Sequence, residues 1–216
     1  MNKIMTAKEA ISRIRDNDVI MIGGFLQCGT PEALLESLIS DSEATDLTIV
    51  SNDTGWDYLN TFRLMELGRV KKVYSTWVGG NPITGAMYAA NPESVVLVPQ
   101  GTLAEAVRAA GSGIAGFLTP TGVGTIVAEG KKTVELDGRE YLFEKALYGD
   151  VALIHATKVD KLGNCYMRGS SKNFNAIMPQ ACKFAVVEAE EIVEAGEIDS
   201  DLITLSGIYI DAIVAL

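Results

Sequence analysis

The sequence predicts an α/β fold, a mostly parallel sheet flanked by helices. Three observations carry this. Apolar runs of strand length recur along the 216 residues. They alternate with stretches of helical period, as βαβ units do. The runs are also nearly continuous in apolar character, which suits strands covered on both faces. With 48% hydrophobic and 21% charged residues, the chain has the balance of a globular protein. It is long enough for one domain over residues 1–216 with a substantial core.

The elements follow in order. Thr6-Ala7-Lys8-Glu9 is a capping box, with Ala10, Ile11 and Ile14 as the apolar stripe behind it. Asp16-Asn17-Asp18 ends that helix. Ile20-Met21-Ile22 is the first strand, and Gly23-Gly24 allows a tight turn. Thr30 suits an N-cap, Pro31 the first helical position and Glu32 the positive end of the helix dipole, with Leu34, Leu35, Leu38 and Ile39 behind. "LTIVSND", "VKKVYSTWVGGNP" and "SVVLVPQGT" read as strands two to four, the last leading into a helix through Leu103, Val107 and Ala110. "GSGIAGFLTPTGVGT" reads as a loop. A hairpin pairs Thr133–Leu136 with 141–143 across Asp137-Gly138. "DVALIHATKVD" and "FAVVEAEEIV" read as buried strands, and "IYIDAIV" as a closing one.

Several function classes are disfavoured. A net charge of −10 without a Lys/Arg block argues against nucleic acid. No apolar run approaches the roughly 20 residues of a membrane helix, and "MNKIMTAKEA" lacks a signal peptide's apolar centre. Cys28, Cys165 and Cys182 are widely spaced, so reduced thiols and a cytoplasmic location are expected. No cluster has metal-ligand spacing, and no metal is expected. His155, the single histidine, ends an apolar strand and reads as a packed or hydrogen-bonded residue before a catalytic base. Cys28 lies in the glycine bend without a basic neighbour in sequence and reads as a small loop-lining residue. Glu188, Glu190, Glu191 and Glu194 read as a solvated face, and Glu129-Gly130 as a surface turn.

The bend at Gly23 runs from strand to helix start, an arrangement that can offer free N–H groups to an anion. It matches neither common nucleotide loop. Thr30-Pro31 stands where a phosphate-gripping Lys belongs, and Phe25 follows Gly24 where a dinucleotide fingerprint needs other spacing. A tight turn without ligand remains the plain alternative. Other strand ends also carry turn or amide residues: Asn52-Asp53, Gly79-Gly80-Asn81 and Gln100-Gly101. The carboxyl ends of parallel strands form the ligand crevice. With no evident nucleophile, the chain is either a binding module or an enzyme half completed by another chain.

The stretch "DNDVIMIGGFLQCGTP" resembles the signature of the family I coenzyme A transferases: Asp or Asn, Gly or Asn, two free positions, three apolar residues, then G-G-F-x-x-x-G-x-P. The likeness continues through "SNDTG", "GRVKKV", "GGNPITG", "LVPQGTLAEAVRAAGSGIAGFLTPTGVGT", "DKLGN" and "SSKNFN". It is most similar to alpha subunits of the short-chain acetate/acetoacetate/butyrate type, in the sugar-isomerase/CoA-transferase superfamily. The resemblance implies a glutamate that attacks an acyl-CoA and then carries CoA as a glutamyl thioester, with ping-pong kinetics. In the family that glutamate lies in the beta half, in a Glu-Asn-Gly motif absent here. The resemblance therefore implies no catalytic residue in this chain and a beta-subunit partner in a hetero-oligomer such as a heterotetramer. Coenzyme A would be a substrate, with no permanently bound cofactor.

Gly23, Gly24, Phe25, Leu26, Gln27, Cys28, Gly29 and Thr30 would line its site, and Asn52 would meet the substrate carboxylate. A turn-forming Asn after a strand is the alternative for Asn52. The "GFLTPTGVGT" loop is a candidate docking segment for the partner. A dicarboxylate substrate would call for a cationic clamp, for which Arg63, Arg108 and Arg168 are available. Two other readings compete: a non-catalytic sensor of a sugar phosphate or CoA ester on this fold, and a sugar-phosphate isomerase, which would need in-chain acid/base residues.

Overall fold

A computed structural model describes residues 2–57 and 59–216. The order of elements is α1 (Ala7–Ile11), β1 (Val19–Ile22), α2 (Glu32–Asp41), β2 (Leu47–Asp53), α3 (Asn60–Glu66), β3 (Val70–Trp77), α4 (Pro82–Ala90), β4 (Val95–Leu97) and α5 (Gln100–Gly111). Then come β5 (Gly116–Thr119), β6 (Thr133–Leu136), β7 (Arg139–Lys145), β8 (Gly149–Asp160), β9 (Cys165–Tyr166), β10 (Cys182–Val193) and β11 (Ala212–Ala215). The main sheet runs β11-β10-β8-β1-β2-β3-β4. Its pairings are parallel except where β9 runs antiparallel to β8. A second, antiparallel sheet has the order β5-β7-β6.

The period-2 alternation of the strands sorts the core into two layers. Ile20, Ile22, Ile49, Val151 and Leu153 pack with Ala10, Ile11, Leu34, Leu35, Leu38 and Leu64 of α1 to α3. Met21, Val50, Ala152 and Ile154 face the other way, onto Leu103 and Val107 of α5 and onto Phe174 and Met178. Both faces are thus covered, as the apolar runs predict. The capping box at Thr6 is present, with Glu9 N–H donating to Thr6 Oγ1 and the Glu9 carboxylate accepting from Thr6 N–H. The hairpin turn at Asp137-Gly138 is also as predicted, both residues at positive φ (51° and 73°).

Four expectations are corrected. Residues 116–119 of the expected loop form β5, because Leu118 and Thr119 find partners on β7. The closing strand is confined to β11; Gly207–Tyr209 is a 3-10 turn and Ile208 is 80% exposed. Thr30 does not cap α2, which begins at Glu32 after Pro31 with no side-chain cap at that position. Glu188 is no solvated residue, being only 2% exposed.

Candidate functional site

The strand order reverses between β8 and β1, since the chain runs from β1 outward to β4 and returns to β8 on the opposite side. In an open parallel sheet the ligand crevice lies at such a switch point, outside the carboxyl ends. The 23–30 bend occupies it. Phe25 and Cys28 exchange backbone hydrogen bonds of 3.2 and 2.9 Å, closing a miniature hairpin. Its tip is Leu26-Gln27, both left-handed at φ 45° and 73°. Each non-glycine residue held there costs roughly 1–2 kcal/mol, and such strain clusters at ligand sites. The Phe25 and Leu26 side chains stand out at 42% and 43% exposure.

Two asparagines hold this hairpin. Asn173 Oδ1 accepts from Gly24 N–H (3.1 Å), and its Nδ2 donates to Cys28 O (2.9 Å) and Ser170 O (2.7 Å). Asn175 Nδ2 donates to Gly29 O (2.8 Å) and Ser171 O (2.9 Å), while its Oδ1 accepts from His155 N–H (3.1 Å). Gly23 must be glycine for packing reasons, since a Cβ would land on Asn175 Oδ1. Gly24 must be glycine for conformation, at φ 115°, and for space, with Thr30 Oγ1 only 2.6 Å from a built Cβ.

The sequence suggested free N–H groups here, and for five of the bend's donors this is corrected. Gly23 N–H donates to Leu153 O and Leu26 N–H to Asp53 Oδ2, both at 2.9 Å, and the Gly24, Phe25 and Cys28 donors are used as described. The start of α2 is filled as well. Glu188, on β10, reaches across the sheet so that its Oε2 accepts from Ala33 N–H (3.0 Å) and Leu34 N–H (3.1 Å). Its Oε1 lies 3.1 Å from His155 Nδ1. His155 Nε2 meets Glu190 Oε1 at 3.1 Å, and Arg168 lies 3.8 Å from Glu190. The hydrogen bond to Glu188 raises the His155 pKa, against the opposing pull of burial. His155 is therefore a hydrogen-bonded structural residue, as the sequence suggested. Glu32 sits beside this network with Oε2 accepting from Asn60 N–H (3.0 Å) and Oε1 buried without a partner among the described residues. Burial chiefly, with the Glu188 charge adding to it, pushes the Glu32 pKa up.

Asn52 lies inside β2 and is 3% exposed, so it is not a turn residue following a strand. Its Nδ2 donates to Asp53 Oδ2 (3.0 Å) and its Oδ1 accepts from Thr76 Oγ1 (3.2 Å). Asp53 accepts three hydrogen bonds: Oδ2 takes Leu26 N–H and Asn52, Oδ1 takes Gly55 N–H (3.1 Å). Asn52 and Thr76 border a cavity of about 440 Å³ that reaches the Phe25-Leu26 tip, walled by Trp56 and Trp77 and edged by Gln100. Arg63 pairs with Glu36 and Asn60, Arg108 with Glu105, and Arg168 with Glu190; none borders that cavity. Cys28 Sγ lies 2.9 Å from Ser170 Oγ. Burial pushes the Cys165 and Cys182 thiols each up to about 12. Among the described residues no group of three or more His, Cys, Asp or Glu could hold a metal ion.

Sequence reasoning thus brought the bend and Asn52 to one place, and missed Asn173, Asn175, Asp53, Glu188 and the two tryptophans. A signal existed for Glu188. It shares the period-2 parity of Val186, which packs on the α2 face.

Comparison with known proteins identifies the family. Residues 4–216 match the coenzyme A transferase family. The alpha chain of acetate CoA-transferase from Escherichia coli K12 is 45% identical, over 98% of this chain and 96% of its own length. One of the subunits of a probable succinyl-CoA:3-ketoacid coenzyme A transferase from Bacillus subtilis is 46% identical, over 99% and 90%. The crystal structure of an acyl-CoA transferase from E. coli O157:H7 shares the fold, with a TM-score of 0.84 at 23% identity. That match covers all of this chain but only 47% of the longer one, so the chain spans about half of that protein. From the signature bend at the switch point to the full-length match, the chain belongs to the coenzyme A transferase family.

Proposed function

We propose that the chain is the alpha half of a hetero-oligomeric coenzyme A transferase. It would move CoA between a short-chain acyl-CoA and a carboxylate such as acetate, butyrate or acetoacetate, in the cytoplasm, with CoA as substrate and no resident cofactor. The bend residues Gly23 to Thr30 border the thioester and Asn52 meets the substrate carboxylate. One observation supports the need for a partner: Asp53 and Glu188, the carboxylates that bond to the bend and to the α2 start, have structural roles. Asp53 accepts three hydrogen bonds and Glu188 holds the α2 start and His155. An attacking carboxylate must be free to move onto the thioester carbon, and these two hold the bend and the helix start in place, which supports a glutamate supplied by the beta subunit.

The thioester oxygen develops charge on attack, and donors must face it. Because the Gly23, Gly24, Phe25, Leu26 and Cys28 N–H groups are bonded internally, those donors serve only if the strained hairpin opens on binding. Exposed apolar Leu118 (37%) and Ile126 (77%) support docking of the beta subunit through the 116–125 segment and its flank.

The test is transfer from butyryl-CoA to acetoacetate by the chain alone and by the complex co-purified from its native lysate. Activity only in the complex is the expected result, and activity of the chain alone refutes the missing nucleophile. Gly24→Val in the complex abolishes transfer while circular dichroism stays native; normal turnover removes the bend from the site.

A further inference from the structure

We propose that the cavity between the Phe25-Leu26 tip and the Trp56–Trp77 pair is the acyl pocket, and that it limits substrates to short monocarboxylates. This rests on the transferase reading above and names the residues that would set its substrate class. The two indoles lie 5.5 Å apart, tilted by 51°, at the carboxyl ends of β2 and β3. Both pack closely on Gly80: a Cβ there would come within 2.7 Å of Trp56 Nε1 and 2.9 Å of the Trp77 six-membered ring. The pocket's polar groups, Asn52, Thr76 and Gln100, are all neutral. An acyl chain entering with its carbonyl toward Asn52 therefore lays its tail on aromatic surface.

Length and charge are then both restricted. A tail of a few carbons gains by burial against the indoles, and a longer one meets their faces. A second carboxylate would be desolvated with no cation among the bordering residues, and Asp53, bonded to the bordering Asn52, is negative. The candidate arginines are spent on Glu36, Glu105 and Glu190. Overall identity does not choose between these classes, because relatives named for acetate and for succinyl-CoA are 45% and 46% identical.

The experiment measures kcat/KM in the assembled hetero-oligomer with acetyl-CoA as donor and butyrate, hexanoate or succinate as acceptor. Trp77→Ala, at a half-exposed strand end, raises the hexanoate-to-butyrate ratio by about tenfold or more, the scale of a pocket contact. Gly80→Ala, whose Cβ would displace the indoles that wall the cavity, changes that ratio. Gln100→Arg, which adds a cation at an exposed edge, raises the succinate-to-butyrate ratio. Ratios unchanged in all three variants, with transfer intact, overturn the pocket assignment alone. Wild-type preference for succinate over butyrate overturns the charge argument. Absence of transfer to any carboxylate by the wild-type complex overturns the transferase reading itself.

Discussion

Replacing Glu188 tests the internal cap most directly. Its side chain is 3% exposed, so water screens it little, and it holds two N–H groups of α2 and the His155 ring. Glu188→Ala strands those donors in the interior. Breaking a buried, hydrogen-bonded charged group costs about 3–5 kcal/mol. Glu188→Gln keeps an acceptor for the helix and a group able to donate to a neutral imidazole, losing mainly the charge–dipole attraction, about 1–2 kcal/mol. For a domain of this size each kcal/mol moves Tm by roughly 2–4 °C. Thermal unfolding of the assembled protein at pH 7 should then show losses of roughly 6–20 °C for Ala and 2–8 °C for Gln. The neighbouring Glu190, 41% exposed, provides the contrast: Glu190→Gln should cost under about 1 kcal/mol. An alanine variant within 2 °C (roughly the effect of 1 kcal/mol) of wild type, or equal losses at the two positions, would refute the claim that Glu188 caps α2.

Other predictions follow from the same neighbourhood. His155 has a raised pKa in the fold, so its stabilisation is fully present below the unfolded value of 6.5 and fades as pH rises through the higher folded one. Tm of wild type relative to His155→Gln should therefore decline from pH 6 to pH 8 (a window set about the imidazole pKa); a flat difference would count against the ion pair. Glu32 also has a raised pKa, so its contribution is favourable below 4.5 and lost above the folded value. Glu32→Gln should raise Tm at pH 7 by roughly 2–4 °C (about 1 kcal/mol for a relieved buried charge) and lose that gain near pH 4. Leu26→Gly should relieve the left-handed strain and raise Tm by a similar roughly 2–4 °C while lowering transfer. A variant with lower Tm would show the tip to be unstrained.

What the sequence revealed was whatever local chemistry decides. The Thr6 box, the Asp137-Gly138 turn and the apolar strand runs depend on neighbours a few residues away, and the structure has them where they were expected. The bend was legible because glycines flank it and a family signature runs through it. Its anchors were not, because Asn173 lies 149 residues from the Gly24 it holds, and Glu188 lies 154 from Leu34. Thr30-Pro31 gave a sound local cap signal that a distant carboxylate overrode. Helices α3 and α4 carry weak signals, the second with Gly85 inside it and few buried residues, and distant contacts, of α3 with α2 and of α4 with α3 and β4, complete them.

The sheet's order bears on how the chain acquires its structure. β1 pairs with β2 within about thirty residues, but its other neighbour, β8, arrives only at residues 149–160. During synthesis β1 is thus a long-lived open edge, with Ile20, Met21 and Ile22 destined for full burial. At roughly 5–20 residues per second, that exposure lasts on the order of ten seconds on the ribosome. Unpaired apolar edges recruit other chains, and non-local parallel pairing is slow. The strand that leads into the signature bend stays unpaired on this side until β8 emerges, and β8 in turn waits for β10. The order of the strands thus makes the β1 edge a point at which the growing chain is open to misassociation until β8 emerges.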